Sequence, residues 1–153
     1  MSAVQAAYLA GLFDGEGCVS IVKGQCRGNP AWALQMVVSN NLPAVLYKYR
    51  DITGAGFIHN RAGAGNRATN YSWRMSQTAA GGVLEQIQPY LEAKGDQVRI
   101  ALEFLATFNH PPAGAKGLDA AIAQERDRLR VLLSRMKGTS GGRGRPKKAA
   151  VHG

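Results

Sequence analysis

The stretch Leu9-Ala10-Gly11-Leu12-Phe13-Asp14-Gly15-Glu16-Gly17 joins an apolar, small-residue helix directly to an acidic, glycine-rich turn. A helix ends with partial negative charge on its free carbonyls, so a carboxylate there is disfavoured by about 0.3–1 kcal/mol. Asp14 and Glu16 both fall at this end. Something positive is expected to offset them, and a divalent cation is the natural partner of hard carboxylate oxygens.

The rest of the chain says what such a site could act on. At 153 residues it can bury one domain-sized core. Its 19 lysines and arginines against 10 acids leave a formal charge of +9. A small basic protein most often meets nucleic acid, less often an anionic membrane. The charge is unevenly placed. Between Gly17 and Gln77, Lys23, Arg27, Lys48, Arg50, Arg61, Arg67 and Arg74 face a single acid, Asp51. From Lys137 to Gly153 the cations Lys137, Arg143, Arg145, Lys147 and Lys148 have no acid beside them. No apolar run approaches a membrane span, so no membrane partner is expected. Cys18 and Cys26 lack zinc spacing, and with no secretory leader read at the start they are expected to be reduced thiols of an intracellular protein.

Patterning predicts the element order. Ser2 caps a helix from about Ala3 to Asp14. Along it Ala3, Ala7, Gly11 and Gly15 recur every fourth position, a face that another backbone can approach closely. Leu9, Leu12 and Phe13 are left to pack on the chain's own sheet. Residues 18–23 and 32–38 alternate as half-buried strands, with 25–30 a loop between them. Pro43 opens a helix to about Ile52. Strands follow at 57–61 and 69–76, joined by a hairpin tip at 62–67. Thr78 caps a third helix, and further helices are expected at 95–108 and 119–136, the last burying Ile122, Leu129, Leu132 and Leu133. The prediction is an α+β domain over residues 1–137 with a four-stranded antiparallel sheet. Residues 138–153, rich in Gly, Ser, Arg and Lys, read as a disordered basic tail.

The nine-residue stretch and this element order together resemble the LAGLIDADG homing endonucleases. Leu9, Ala10, Gly11, Asp14, Gly15 and Gly17 match letters or common variants of the motif, and Glu16 stands where the family places its metal-binding carboxylate, often an Asp. The resemblance covers roughly residues 8–109. It implies an αββαββα fold with a saddle-shaped DNA-binding sheet and C-terminal helices. It also implies a homodimer, since a single motif is present. Ala7, Leu9, Ala10, Gly11 and Asp14 would line the crossing of the two motif helices, Asp14 alternatively being a turn residue that binds the following amides.

The resemblance further implies a Mg²⁺-dependent nuclease making a staggered double-strand break in a long pseudo-palindromic duplex. Glu16 and the Gly15 carbonyl would hold the cation, with Mn²⁺ or Ca²⁺ as substitutes for binding. Lys94, within Gln88–Gln97, matches the family's active-site lysine, although alone it reads as a surface lysine. Asn40 matches a water-positioning amide, and equally a turn residue before Pro43. A frequent basic residue aligns on Ala44, a departure that Lys48 or Arg50 would have to make good.

A concave sheet in a major groove would present every second side chain to the bases. Those are Ser20, Val22, Gln35, Val37, His59, Arg61, Asn70, Ser72 and Arg74, with Lys23, Gln25, Arg27 and Asn29 on the first hairpin tip and Arg67 on the second. The pattern Arg143-Gly144-Arg145-Pro146-Lys147-Lys148 reads as a basic arm adding salt-dependent phosphate affinity. The alternatives on the same scaffold are a non-cleaving DNA binder and an intron RNA maturase.

Overall fold

A computed structural model describes residues 1–62, 69–108 and 118–140. The elements run α1 (Ala3–Glu16), β1 (Gly17–Cys26), β2 (Asn29–Asn40), α2 (Pro43–Thr53), β3 (Phe57–Arg61), β4 (Asn70–Ser76), α3 (Gln77–Ile87), a 3-10 turn at Gln88–Tyr90, α4 (Gly95–Ala106) and α5 (Ala120–Ser140). The four strands form one antiparallel sheet in the order β1-β2-β4-β3. The expected architecture is present. The expected tip arginine, Arg67, and the basic arm lie outside the described residues.

Ser2 begins α1 as predicted: its Oγ accepts from the Gln5 amide at 3.2 Å, and Gln5 Oε1 accepts from the Ser2 amide at 2.8 Å. Leu9, Ala10 and Phe13 of this helix are fully buried against the sheet residues Val19, Leu34, Met36, Val38 and Trp73. Helices α2 to α5 extend the same core with Leu46, Tyr49, Leu84, Ile87, Ile100, Phe104, Leu129 and Leu133. All of these side chains lie on one side of the sheet. Among the described residues the other side carries no helix, and Phe57 there is 76% exposed.

Four sequence expectations change. The loop at 25–30 is a tight hairpin instead: Cys26 pairs with Asn29, and Arg27 and Gly28 turn the chain with φ of 50° and 81°. Two positive φ values match the right-handed twist of flanking strands, so the strands pair up to the turn itself. Helix α3 starts at Gln77, and Ser76 precedes it without a side-chain cap, so Thr78 is not the capping residue. Helix α5 continues to Ser140, which carries regular structure past the expected boundary at 137. Of its predicted core residues, Leu129 and Leu133 are buried, Ile122 is half-buried and Leu132 is exposed.

Gln77 explains the sharp passage from β4 into α3. Pairing of β4 with β2 ends at Ser76 opposite Gln35. Beyond it the Gln77 side chain continues the ladder: Oε1 accepts from the Leu34 amide at 3.2 Å, and Nε2 donates to the Trp32 carbonyl at 3.5 Å. The amide thus stands in for a strand peptide while its own backbone, at φ 52°, turns away. Gln77→Ala keeps the strained backbone and orphans the Leu34 amide, so it is expected to cost about 1–3 kcal/mol in urea unfolding. Tyr49 provides the contrasting case. Its ring packs at a tilt against Trp73, centroids 4.7 Å apart, but its hydroxyl is buried without a partner among the described residues, and burial pushes its pKa up. Tyr49→Phe is expected to leave stability unchanged or raise it in the same measurement, because it removes an unsatisfied group at no loss of packing.

Candidate nucleic-acid interface and helix-end acidic site

Register assigns the open face of the sheet. Ser20 pairs with Gln35, and Gln35 with Ser76; Cys18 pairs with Val37, Val37 with Arg74, and Arg74 with Phe57. A further row runs Ser39, Ser72, His59, and the outermost pairs Asn70 with Arg61. Val22 pairs with Ala33 on the same side. Directly paired residues share a face, so all nine strand positions expected there are there. None of the residues in these rows is acidic. Ser72 is nearly buried and its Oγ accepts from Arg74 Nε at 3.2 Å, so it steadies Arg74 more than it faces outward. Sequence reasoning passed over Phe57, Cys18, Ser39 and Ser76. The alternation that found His59 also selects Phe57, but an aromatic reads first as core.

The hairpin residues divide. Arg27 sits at the turn, where a non-glycine residue at positive φ is disfavoured by about 1 kcal/mol, and Asn29 shares the open face through its pairing with Cys26. Lys23 and Gln25, expected at the hairpin tip, lie within β1 before the turn and on the parity opposite to the open face. The Lys23 ammonium lies on the helix side, 2.6 Å from Asp127 of α5 and 4.9 Å above the Trp32 ring. Asp127 also accepts from Trp32 Nε1 at 3.1 Å and from Arg130 Nε at 3.2 Å. The Lys23 hydrogen bond, ahead of those from Trp32 and Arg130, holds its carboxyl below the ordinary aspartate range.

At the end of α1 the two carboxylates separate. Asp14 accepts from the amides of Glu92 and Lys94 at 2.8 and 2.9 Å, amides remote in sequence and not the following ones expected of a turn residue. Lys94 replies from the same loop: its ammonium donates to the carbonyls of Phe13, Asp14 and Gly17 at 2.8, 2.8 and 2.7 Å. Burial lowers its pKa, against the attraction of Asp14, Cys18 and Glu16. The positive partner anticipated for this helix end is therefore, in part, Lys94. The contact leaves the Gly15 carbonyl untouched. Glu16 is exposed and its carboxylate has no hydrogen bond or ion pair among the described residues. Gly17 is pinned, since a Cβ there would strike the Phe13 ring.

An exposed carboxylate beside a free carbonyl suits a hard divalent cation. Among the described residues no three His, Cys, Asp or Glu gather into a metal cluster. A cation here would take its remaining oxygens from outside the chain. Asn40 lies on the helix side of β2, opposite Tyr71, and its Oδ1 accepts from the Leu42 amide at 2.8 Å, the geometry of the turn reading. Lys48 lies 4.5 Å above the Tyr8 ring, two helical turns before Glu16, and Arg50 is bound to Asp51 at 2.9 Å. Neither replaces the missing basic group at Ala44.

The expected helix-crossing residues also divide. Leu9 and Ala10 are fully buried in the chain's own core and cannot line a crossing, and Asp14 is held by the loop. Ala7 and Gly11 are exposed, together with Val4, Tyr8 and Gly15. A Cβ at Gly11 or Gly15 would meet nothing within 4 Å in this chain. Glycine costs a helix interior about 1 kcal/mol relative to alanine, and nothing inside the monomer requires it at either place.

No protein-family model and no curated protein sequence matches the chain. Solved structures do. The homing endonuclease I-CvuI in complex with DNA superposes with a TM-score of 0.73 at 18% identity, over 95% of this chain and 86% of that one. The archaeal intron-encoded homing endonuclease I-Vdi141I complexed with DNA gives 0.72 at 16%, over 95% and 89%. The LAGLIDADG homing endonuclease I-GzeII in complex with its DNA target gives 0.67 at 13%, over 82% of this chain but only 43% of its own. The fold is that of the LAGLIDADG homing endonucleases.

The placement of Lys23 has a measurable consequence. Lys23→Met should lower thermal stability slightly, by about 1 kcal/mol or less for an exposed pair, in a thermal melt at neutral pH. Because the Asp127 pKa is depressed in the fold, the contribution of this contact is present at neutral pH and lost as pH falls through the aspartate range. The stability difference between the two proteins should therefore shrink on acidification.

Proposed function

We propose that the chain is a homodimeric, divalent-cation-dependent, site-specific DNA endonuclease of the homing type, cutting both strands near the centre of a long pseudo-palindromic duplex. The observation that carries this reading is the unshared Glu16 carboxylate at the end of α1, immediately before a sheet whose open face carries Arg61, Arg74 and His59 and none of the chain's acids. A bare carboxylate where helix electrostatics disfavour one is an energetic cost that a cation between protein and phosphate would turn to use.

The exposed stripe Val4, Ala7, Tyr8, Gly11 and Gly15 supports pairing through α1, since its two glycines allow a second backbone to approach where a side chain would hold it off. That I-GzeII is matched over less than half its own length fits a unit of which two copies make a working whole. Pairing along α1 would bring two Glu16 carboxylates together under the duplex, one for each strand.

Glu16 and the Gly15 carbonyl are the groups that would hold Mg²⁺. Mn²⁺ and Ca²⁺ favour the same oxygen donors. The bound ion would supply relief of phosphoryl charge and a more acidic water. The chain's own contribution is placement. Asp14 and Lys94 fix the helix end, Gln35 and Arg74 offer base-edge donors and acceptors in the groove, and Arg27 reaches outer phosphates. The vacancy of a basic side chain at Ala44, with Lys48 and Arg50 engaged elsewhere, favours the second reading, a DNA binder or RNA maturase that does not cleave.

Glu16→Gln separates the two. For a nuclease it should lower the cleavage rate of a supercoiled target in Mg²⁺ by on the order of 100-fold or more, the scale of losing a charge-stabilising group. Duplex affinity should be kept or raised, because a carboxylate facing phosphate is gone. Tight binding with no cutting by either protein would establish the non-cleaving reading.

A further inference from the structure

An ammonium has three N–H donors, and all three of Lys94's are taken by the carbonyls of Phe13, Asp14 and Gly17. None is left for a phosphate or a water. The Phe13 carbonyl also accepts from the Gly17 amide, while those of Asp14 and Gly17 are among the groups left without helical partners at the terminus. The two that Lys94 leaves there belong to Gly15 and Glu16. Asp14 closes the arrangement from the other side, with one carboxylate oxygen on the Glu92 amide and the other on the Lys94 amide. Side chain thus binds backbone in both directions between α1 and the loop preceding α4. Lys94 lies over the Phe13 ring at 5.6 Å and is half-buried.

We propose that Lys94 serves the reaction as a positioning residue, coupled to Asp14 as one clamp that sets the last turn of α1, so that the Glu16 carboxylate and the Gly15 carbonyl stand unshared for a divalent cation. The inference rests on the nuclease reading above for its functional consequence, while the clamp itself is testable without metal or DNA. A lysine acting directly on the scissile phosphate would contribute through its charge, independently of Asp14. A clamp lysine contributes through convergence of three donors on one point, which the planar fork of an arginine does not reproduce.

The experiment compares wild type with Lys94→Gln, Lys94→Arg, Asp14→Asn and the Asp14→Asn/Lys94→Gln double variant. In metal-free protein, hydrogen exchange at the Glu92 and Lys94 amides should speed up by about tenfold or more in Lys94→Gln, although neither amide bonds to the replaced side chain. In cleavage assays each single variant should need more Mg²⁺ for half-maximal rate. The double variant should cut no more slowly than the worse single one, the signature of two residues working as a unit. Lys94→Arg should not rescue, and it carries both readouts should Lys94→Gln fail to fold. Unchanged amide exchange, multiplicative losses in the double variant, or recovery of cleavage by arginine would overturn the proposal. Absence of cutting by the wild-type protein would reject the nuclease reading, and amide exchange alone would then decide for or against the clamp.

Discussion

The negative end of α1 is the constraint around which this molecule is arranged. Two carboxylates stand where the helix already carries partial negative charge, and the spacing of Asp14 and Glu16 turns them about 200° apart around the axis. One therefore faces inward and the other outward. The inward one is answered by two amides and, through the same loop, by the Lys94 ammonium. The outward one is left bare. Charge neutralisation and charge exposure are thus divided between two residues of one turn, Asp14 and Glu16.

The sheet follows from the same logic of assigning each face one task. Its helix side takes the large apolar side chains and also Lys23, whose stem lies against Trp32 and whose charge ends on Asp127. Strand β1 is an edge, and an uncovered edge invites pairing with another chain. Helix α5 runs against β1, and Lys137 donates to the Val19 carbonyl at 3.1 Å. At the other end of α5, Arg126 is buried on Thr107 and stacks on Phe108 at 3.8 Å, which fixes the helix against α4. The last helix thus guards the edge from behind and leaves the opposite face to Ser20, Gln35, Val37 and Arg74.

Much of this was legible in the sequence because two periodicities are strong. Alternation in β2 sorted Trp32, Leu34, Met36 and Val38 from Gln35 and Val37, and the register carried that parity across the sheet. What failed depended on information outside any window. Chain position suggests the hairpin tip for Lys23, yet parity places it beside Trp32, and α5, about a hundred positions later, supplies its partner. Motif position suggests a helix crossing for Leu9 and Ala10, although the core already claims them. Gln77 gave no signal as a strand surrogate, because its bonds to Trp32 and Leu34 come from a residue that looks like an ordinary helix start. Lys94 was found by resemblance, but its three carbonyl partners, and so its physical task, appear only when the helix end and the loop meet.

The distribution of charge also bears on how two copies would come together. The exposed stripe of α1, from Val4 to Gly15, contains no ionised side chain of its own, whereas Arg61 and Arg74 lie on the open face of the sheet. Under the proposed function, close packing at Gly11 and Gly15 would respond to shape and not to ionic strength, while contacts of Arg61 and Arg74 with phosphate would fall steeply as salt rises. In this reading assembly and DNA affinity are separable by salt, because the fold places small apolar residues on one exposed surface and cations on the other.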